Sequence, residues 1–444
     1  LGMSESNLIE RKQLRSYQNI IVNKCKSHPF YGVFAEPGTG KTICLGTVIA
    51  DLNLKTLIVS TPRIIDHVWR QELSAWEHTA HLSVGNLHCT PKKRARYLDN
   101  QVLLITFNLL GWFKSNGCHI DCIIIDESSC IKNPSSKRFK LLRELGAQVQ
   151  RRYILSGTPR PNSALDLYGQ LAFLTDMGKA PWDIPYSQFQ LKYFITNDPM
   201  GWSWRPRAGV ESLLTRIVAR DAISIRSADC LDLPKITVQD VSVHLPDSVT
   251  TMYLDMESQL LLTLQDGVID AVSSGVLVGK LRQITAGAIY DDTGQWHQLH
   301  DEKLMAVKEL VDSIATPVMI VYQFRHDLER LQALFPQGEV MRDIDRWNND
   351  EIPVMFLQPK SAGHGLNLQH GSCQHQIWLN LSYSSEEYQQ TIARLHRSGQ
   401  NKPIFVHRII AQDTIDVTIT DVLANKVGGQ NALLEQLKIR RQTK

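Results

Sequence analysis

The chain has 444 residues, 43% apolar and 21% charged, which is ordinary globular composition and excludes a disordered chain. No run approaches the ~18 uninterrupted apolar residues of a membrane span, so no membrane partner is expected. A net charge of +3 is too small to argue by itself for nucleic acid. At this length a single core usually divides, and two domains of roughly 200 residues are expected.

Leu1 to Glu10 is polar and acidic and lacks the apolar core of a secretory signal, and Leu1-Gly2 ahead of Met3 reads as a cloning remnant. Short apolar runs without alternation then follow at Tyr31 to Ala35, Thr56 to Ser60, Val102 to Thr106, Cys122 to Ile125 and Arg152 to Ser156. Strands covered on both faces read this way. The segments Lys41 to Asp51 and Arg63 to Trp76 are long enough for crossover helices, so the first half predicts a parallel α/β sheet. Cys118, Cys122 and Cys130 fall near His119, but the intervening IDCIIID reads as a buried strand, whose pleat opposes tetrahedral ligation. Buried or incidental thiols in a reducing interior are expected instead.

From Leu171 to about His300 the pattern turns helical and loop-rich, with Leu233-Pro234-Lys235 as a hinge. Strand-like runs return at Val318 to Tyr322, Val354 to Leu357, Gln376 to Leu379 and Ile404 to Ile409. The expected division is an N-terminal lobe over 3–234, with a helical insertion near 171–230, and a C-terminal lobe over 235–444, with a helical region near 245–315. Basic clusters at Lys92 to Arg96, at Arg151-Arg152, and at Arg205 and Arg207 beside Trp202 and Trp204 are candidate contacts for a polyanion.

The strongest chemical signal is AEPGTGKT, Ala35 to Thr42, between a strand and a helix. Pro37, Gly38, Thr39 and Gly40 would curl backbone N–H groups around phosphates at the helix N-terminus. Lys41 would reach the β and γ phosphates of ATP, and Thr42 would hold Mg²⁺. Asp126 and Glu127 end another strand of the same sheet. Asp126 would anchor the metal, and Glu127 would position and activate the attacking water. Ser156-Gly157-Thr158-Pro159 ends a further strand and could sense the γ-phosphate. In the second half, Ser361 to Leu368 follows a strand and could place backbone donors at phosphates. Arg394 and Arg397, three residues apart, predict two guanidiniums on one helix face that stabilise the transferred phosphoryl group once the lobes close.

These blocks together resemble the Snf2-like branch of superfamily 2 helicases and translocases, in a compact form similar to those of bacteria and phages. Leu14-Arg15-Ser16-Tyr17-Gln18 resembles the adenine-recognising segment, with Gln18 as the implied base contact. DESSCIKNPSSKR (Asp126 to Arg138), SGTPRPNSALDLYGQLAFL (Ser156 to Leu174), Arg220 with Leu233-Pro234-Lys235, Leu281 to Ile284, and QQTIARLHRSGQ (Gln389 to Gln400) are similar to branch-specific blocks. The match runs from about residue 12 to about residue 420. It implies two RecA-like parallel-sheet lobes with short helical insertions, the superfamily 2 helicase core.

The implied activity is DNA-stimulated hydrolysis of ATP to ADP and phosphate, coupled to movement along double-stranded or branched DNA in replication, recombination or repair. Gly365 belongs to the implied nucleotide site, and Arg63, Lys132 and Ser361 to the implied DNA-tracking surface. A monomer in the cytoplasm of a bacterial cell or phage-infected host is expected, as an accessory replication or recombination protein. Two features depart from the family pattern. Ser128 and Ser129 stand where Ala-His usually follows the acidic pair, which predicts looser coupling of ATP to DNA. Pro37-Gly38-Thr39-Gly40 stands where many members have Met-Gly-Leu-Gly. The competing readings are a strand-separating helicase on RNA or single-stranded nucleic acid, and a non-catalytic protein using nucleotide only as a switch.

Overall fold

The computed structural model describes residues 8–424 except 158, 160–163, 176–181, 183, 197–203, 227–229, 231–232, 266–270 and 361–365, and the side chains of 261–265 and 271–274. The chain divides into two compact units, Leu1–Asp232 and Leu233–Lys444.

The first unit is built on a seven-stranded sheet in the order β3-β4-β2-β5-β6-β1-β9. Its strands are β1 (Phe30–Ala35), β2 (Thr56–Ser60), β3 (Val84–Asn86), β4 (Val102–Thr106), β5 (Cys122–Asp126), β6 (Arg151–Ser156) and β9 (Ala222–Ile225). Every pairing in it is parallel. β2, β4 and β5 are buried at every position, which explains why their sequences do not alternate. Leu57, Val59, Leu103, Ile105, Ile123 and Ile125 join the core on one face with Phe139, Leu142 and Leu171. Ile58, Leu104 and Ile124 point the other way and are equally buried. Each such side chain contributes about 1.5–3 kcal/mol on burial, more than the ~1 kcal/mol range of intrinsic strand preference. Two-sided burial therefore decides the pattern. The helices α1 (Ser16–Ser27) and α2 (Lys41–Leu52) flank β1 in sequence and pack against each other.

The second unit carries a six-stranded parallel sheet, β10-β17-β16-β13-β15-β14. Its strands are β10 (Ile236–Val243), β13 (Val318–Val321), β14 (Glu339–Val340), β15 (Val354–Leu357), β16 (His375–Trp378) and β17 (Ile404–Ala411). Val318, Ile320, Val354 and Phe356 join one core, and Met319, Val321, Met355 and Leu357 another, so this sheet is also covered on both sides. Both units are α/β, with RecA-like parallel sheets and helical insertions.

The stretch from Leu171 to His300 is less purely helical than its sequence suggests. It contains two short antiparallel strand pairs, β7 (Phe194–Thr196) with β8 (Trp204–Pro206) and β11 (Ala288–Tyr290) with β12 (Trp296–Gln298). It also supplies the edge strands β9 and β10. β10 escapes a hydrophobicity reading because Thr237 to Asp240 face solvent. Its register with β17 is reinforced by Arg408, whose guanidinium donates to both Asp240 carboxylate oxygens across the strand pair, at 2.7 Å to Oδ2. Among the described residues no helix is long and apolar enough to cross a membrane.

Candidate active site

β5, β6 and β1 are consecutive neighbours in one parallel sheet, so their C-terminal ends open on the same edge. In register, Asp126 lies beside Leu155 and Phe34 beside Ser156. The phosphate-loop candidate leaving β1 and the acidic pair ending β5 are thus two strand spacings apart, about 10 Å.

The loop of residues 36–40 adopts the conformation its glycines permit. Gly38 has φ 81° and Gly40 φ 75°, the left-handed region that side chains resist. Gly40 caps α2, whose twelve residues begin at Lys41. The loop is braced from within by Thr39, fully buried, whose Oγ1 donates to Glu36 O at 2.7 Å. From outside, α1 grips the Thr39 carbonyl twice, through Tyr17 Oη at 3.0 Å and Gln18 Nε2 at 3.1 Å. Gln18 Oε1 in turn accepts from Arg15 N at 2.8 Å. A Cβ on Gly40 would lie 2.3 Å from Gln18 Nε2. Gln18, expected as a base contact, is therefore also a buttress of the loop. Lys41 Nζ donates to the carbonyls of Ala35 and of Glu36, the latter at 3.3 Å, which anchors the ammonium on the loop. Thr42 is half-buried in the first turn of α2.

Asp126 is held at both ends. Ser60 Oγ, at the end of β2, donates to its carbonyl at 2.8 Å, and Trp69 Nε1 donates to its Oδ2 at 2.9 Å. Trp69 is fully buried and follows a π-helical turn, Ile64–Val68. The next residue, Glu127, has φ 72° and ψ 61°, a conformation that costs a non-glycine residue about 1–2 kcal/mol. Its amide still donates to Leu155 O at 3.0 Å, extending the β5–β6 ladder, and Ser129 Oγ donates to its Oε1 at 3.0 Å. Both carboxylates are more than nine-tenths buried.

The donor set suits a nucleotide with a divalent cation: N-terminal helix amides and an ammonium for phosphates, a carboxylate and a hydroxyl for Mg²⁺, and a second carboxylate for water. The segment after β6 closes on the same loop. A Cβ on Gly157 would sit 3.1 Å from Pro37 Cδ.

Other expected residues are less concentrated. Arg63 is half-buried at the start of the π-helical turn, and burial pushes its pKa below the usual arginine value. Lys132 is partly exposed, and its Nζ lies 3.8 Å from Asp166 Oδ2. In the second unit, Arg394 and Arg397 do not share a helix face. The helix Ser385–Ile392 ends before both, and the chain turns there, carrying Leu395 fully into the core. Their backbone and side chain instead hold the segment 366–368: Leu368 N donates to Arg394 O at 3.3 Å, and Arg397 Nη1 donates to Leu366 O at 3.0 Å. Thr158, Ser361, Gly363 and Gly365 lie outside the described residues.

Sequence reasoning missed Trp69, Ser60 and Gln170. Ser128 Oγ donates to Gln170 Oε1 at 2.7 Å, and both residues are fully buried. No local pattern announces these partners, since each pair is separated by more than 40 residues.

Residues 6–283 match the family described as the SNF2-related domain. "Putative protein p41" of Acyrthosiphon pisum secondary endosymbiont phage 1 is 32% identical over 96% of this chain and 98% of its own length. The DNA annealing helicase and endonuclease ZRANB3 of Bos taurus is 22% identical over 88% of this chain, which spans only 38% of that protein. Among solved structures, the Sulfolobus solfataricus SWI2/SNF2 ATPase core in complex with dsDNA aligns with 93% of this chain and 91% of its own, at 22% identity and a TM-score of 0.45.

Proposed function

We propose that this chain, which belongs to the SNF2-related domain family, couples ATP hydrolysis to movement along double-stranded or branched DNA in replication, recombination or repair. The observation that carries the proposal is the meeting, on one edge of one parallel sheet, of the Lys41 loop after β1 and the Asp126–Glu127 pair after β5. Family membership implies use of ATP and Mg²⁺. The relative that is similar over nearly its full length is a phage protein, and the place of action proposed for this chain, as a compact phage or bacterial motor, is the cytoplasm of the host cell. Similarity to a protein named as a DNA annealing helicase supports DNA as the partner, and its endonuclease activity is not carried over.

In this reading the amides of 38–42 and the Lys41 ammonium bind the ATP phosphates. Thr42 and Asp126 would hold Mg²⁺, which would supply positive charge to neutralise the phosphates. Trp69 orients Asp126, while Glu127, steadied by Ser129, orients the attacking water and accepts its proton. Gln18 contacts the base while bracing the loop. Arg394 and Arg397 serve the transferred phosphoryl group, Gly365 belongs to the nucleotide site, and Arg63, Lys132 and Ser361 track the DNA backbone. Backbone contacts carry little base information, so binding should fall with salt and show weak sequence preference. A monomer is proposed, with Arg394 and Arg397 supplied by the same chain as Lys41.

The test is the steady-state ATP hydrolysis rate without nucleic acid and with single-stranded DNA, blunt duplex DNA, a four-way junction or duplex RNA. Stimulation by duplex DNA, rising further on the junction, supports the proposal. Stimulation by RNA or single strands alone would replace it with a strand-separating helicase, and no stimulation by any of them would remove the motor role.

A further inference from the structure

The Leu167–Leu174 helix is pressed against the segment that follows the acidic pair. Gly169 makes the approach possible, because a Cβ there would lie 2.3 Å from Ile131 O and 2.7 Å from Lys132 O. The neighbouring Gln170 is a fully buried amide in a helix otherwise lined with apolar side chains. Three of the four hydrogen-bonding valences of its amide are used. Its Oε1 accepts from Ser128 Oγ at 2.7 Å, and its Nε2 donates to Pro159 O at 2.7 Å and to Asp166 O at 2.9 Å. A buried amide with this complement has one orientation available to it.

Its two ends touch the two loops that matter. Ser128 directly follows Glu127, whose left-handed backbone sets the direction of its carboxylate. Pro159 lies two residues beyond Gly157, which abuts Pro37 of the phosphate loop. We propose that Gln170 is a positioning residue for ATP hydrolysis: through Ser128 and Pro159 it locks the Glu127 turn to the segment bordering the phosphate loop. This rests on the assignment of Glu127 as the residue that activates water. The serines after the acidic pair then divide the work. Ser129 steadies the Glu127 carboxylate directly, and Ser128 ties its backbone to the next loop.

Gln170→Leu alone would leave the Ser128 hydroxyl and the Pro159 carbonyl without this partner, and could simply destabilise the unit. The decisive variant pairs Gln170→Leu with Ser128→Ala, which removes the Ser128 donor together with its Gln170 acceptor and leaves only the Pro159 and Asp166 carbonyls without the amide. Thermal unfolding and ATP turnover are measured for both variants and for the parent, with and without duplex DNA. The expected result is a melting temperature that recovers in part in the double variant, while kcat stays down by about 10- to 100-fold and KM for ATP stays within about twofold. A double variant with parental kcat, or a loss confined to KM, overturns the proposal. Glu127→Gln is run alongside. If it retains parental turnover, the underlying assignment of Glu127 has failed. If it is inactive while the double variant is parental, only the Gln170 linkage has failed. The measurements without DNA report on the linkage even in a protein that ignores nucleic acid.

Discussion

The indole Nε1 of Trp69 donates to Oδ2 of Asp126 at 2.9 Å, so the carboxylate ending β5 is aimed by a side chain reached through β2. A hydrogen bond to a charged group is worth about 1.5–3 kcal/mol, and partners of this kind typically change metal affinity about 10- to 100-fold. In Trp69→Phe, which keeps a buried ring but loses the donor, the Mg²⁺ concentration for half-maximal ATP hydrolysis should rise about tenfold. KM for ATP at saturating Mg²⁺ should change little. An unaltered Mg²⁺ titration would show that Asp126 does not depend on the indole.

Gly40→Ala meets two obstacles, a φ of 75° and the Gln18 amide 2.3 Å from the new Cβ. The backbone cost alone is about 1–2 kcal/mol, equivalent to roughly a tenfold loss in binding. KM for ATP should rise at least that far with the circular dichroism spectrum unchanged. Adding Gln18→Ala removes the collision but leaves the backbone cost and loses both the brace on Thr39 and the proposed base contact, so it should recover affinity only in part. Full recovery in the double variant would mean that the collision alone matters.

Glu127→Gln preserves the shape of the side chain and its place opposite Ser129 Oγ, but it cannot accept a proton from water. Turnover should fall about 100-fold or more while ATP remains bound. Ser129→Ala should cost only a few-fold, because it loosens the carboxylate without removing it. Equal losses in the two variants, read from single-turnover rates, would shift the principal role to Ser129.

Acidification should weaken the second unit through His375 and His407. Their rings stack at 5.3 Å, with His375 Nδ1 and His407 Nε2 3.0 Å apart. Burial holds both below the usual histidine pKa, and the proximity of His375 lowers His407 further. The unfolded chain therefore binds more protons than the folded one. The stability contributed by these rings is complete above the unfolded value near 6.5 and declines as pH falls towards the folded values. Urea midpoints for the second unit should drop between pH 7.5 and 5.5, and less steeply with both histidines changed to glutamine. Parallel slopes in parent and variant would assign the acid sensitivity elsewhere.

The central strands of both sheets were legible because two-sided burial leaves an uninterrupted apolar signature, as in Cys122 to Ile125. β10 was not, since its exposed Thr237 to Asp240 follow no core pattern and its pairing is with a strand far along the chain. Arg394 and Arg397 illustrate the opposite error. Their spacing fits a helix, but the helix ends at Ile392 and the chain turns there, with Leu395 fully buried in the core.

What the sequence determined by itself is whatever a few contiguous residues can enforce. Gly38 and Gly40 dictate a left-handed loop, Lys41 and Thr42 open the helix behind it, and Asp126-Glu127 close a buried strand. What only the tertiary structure decided is the setting of those groups: Gln18 and Tyr17 on Thr39, Trp69 on Asp126, and Gln170 between Ser128 and Pro159. The first kind of information resides in local backbone preference. The second arises from the strand order and the packing of helices on the sheet, which join residues whose separation along the chain carries no trace of their meeting.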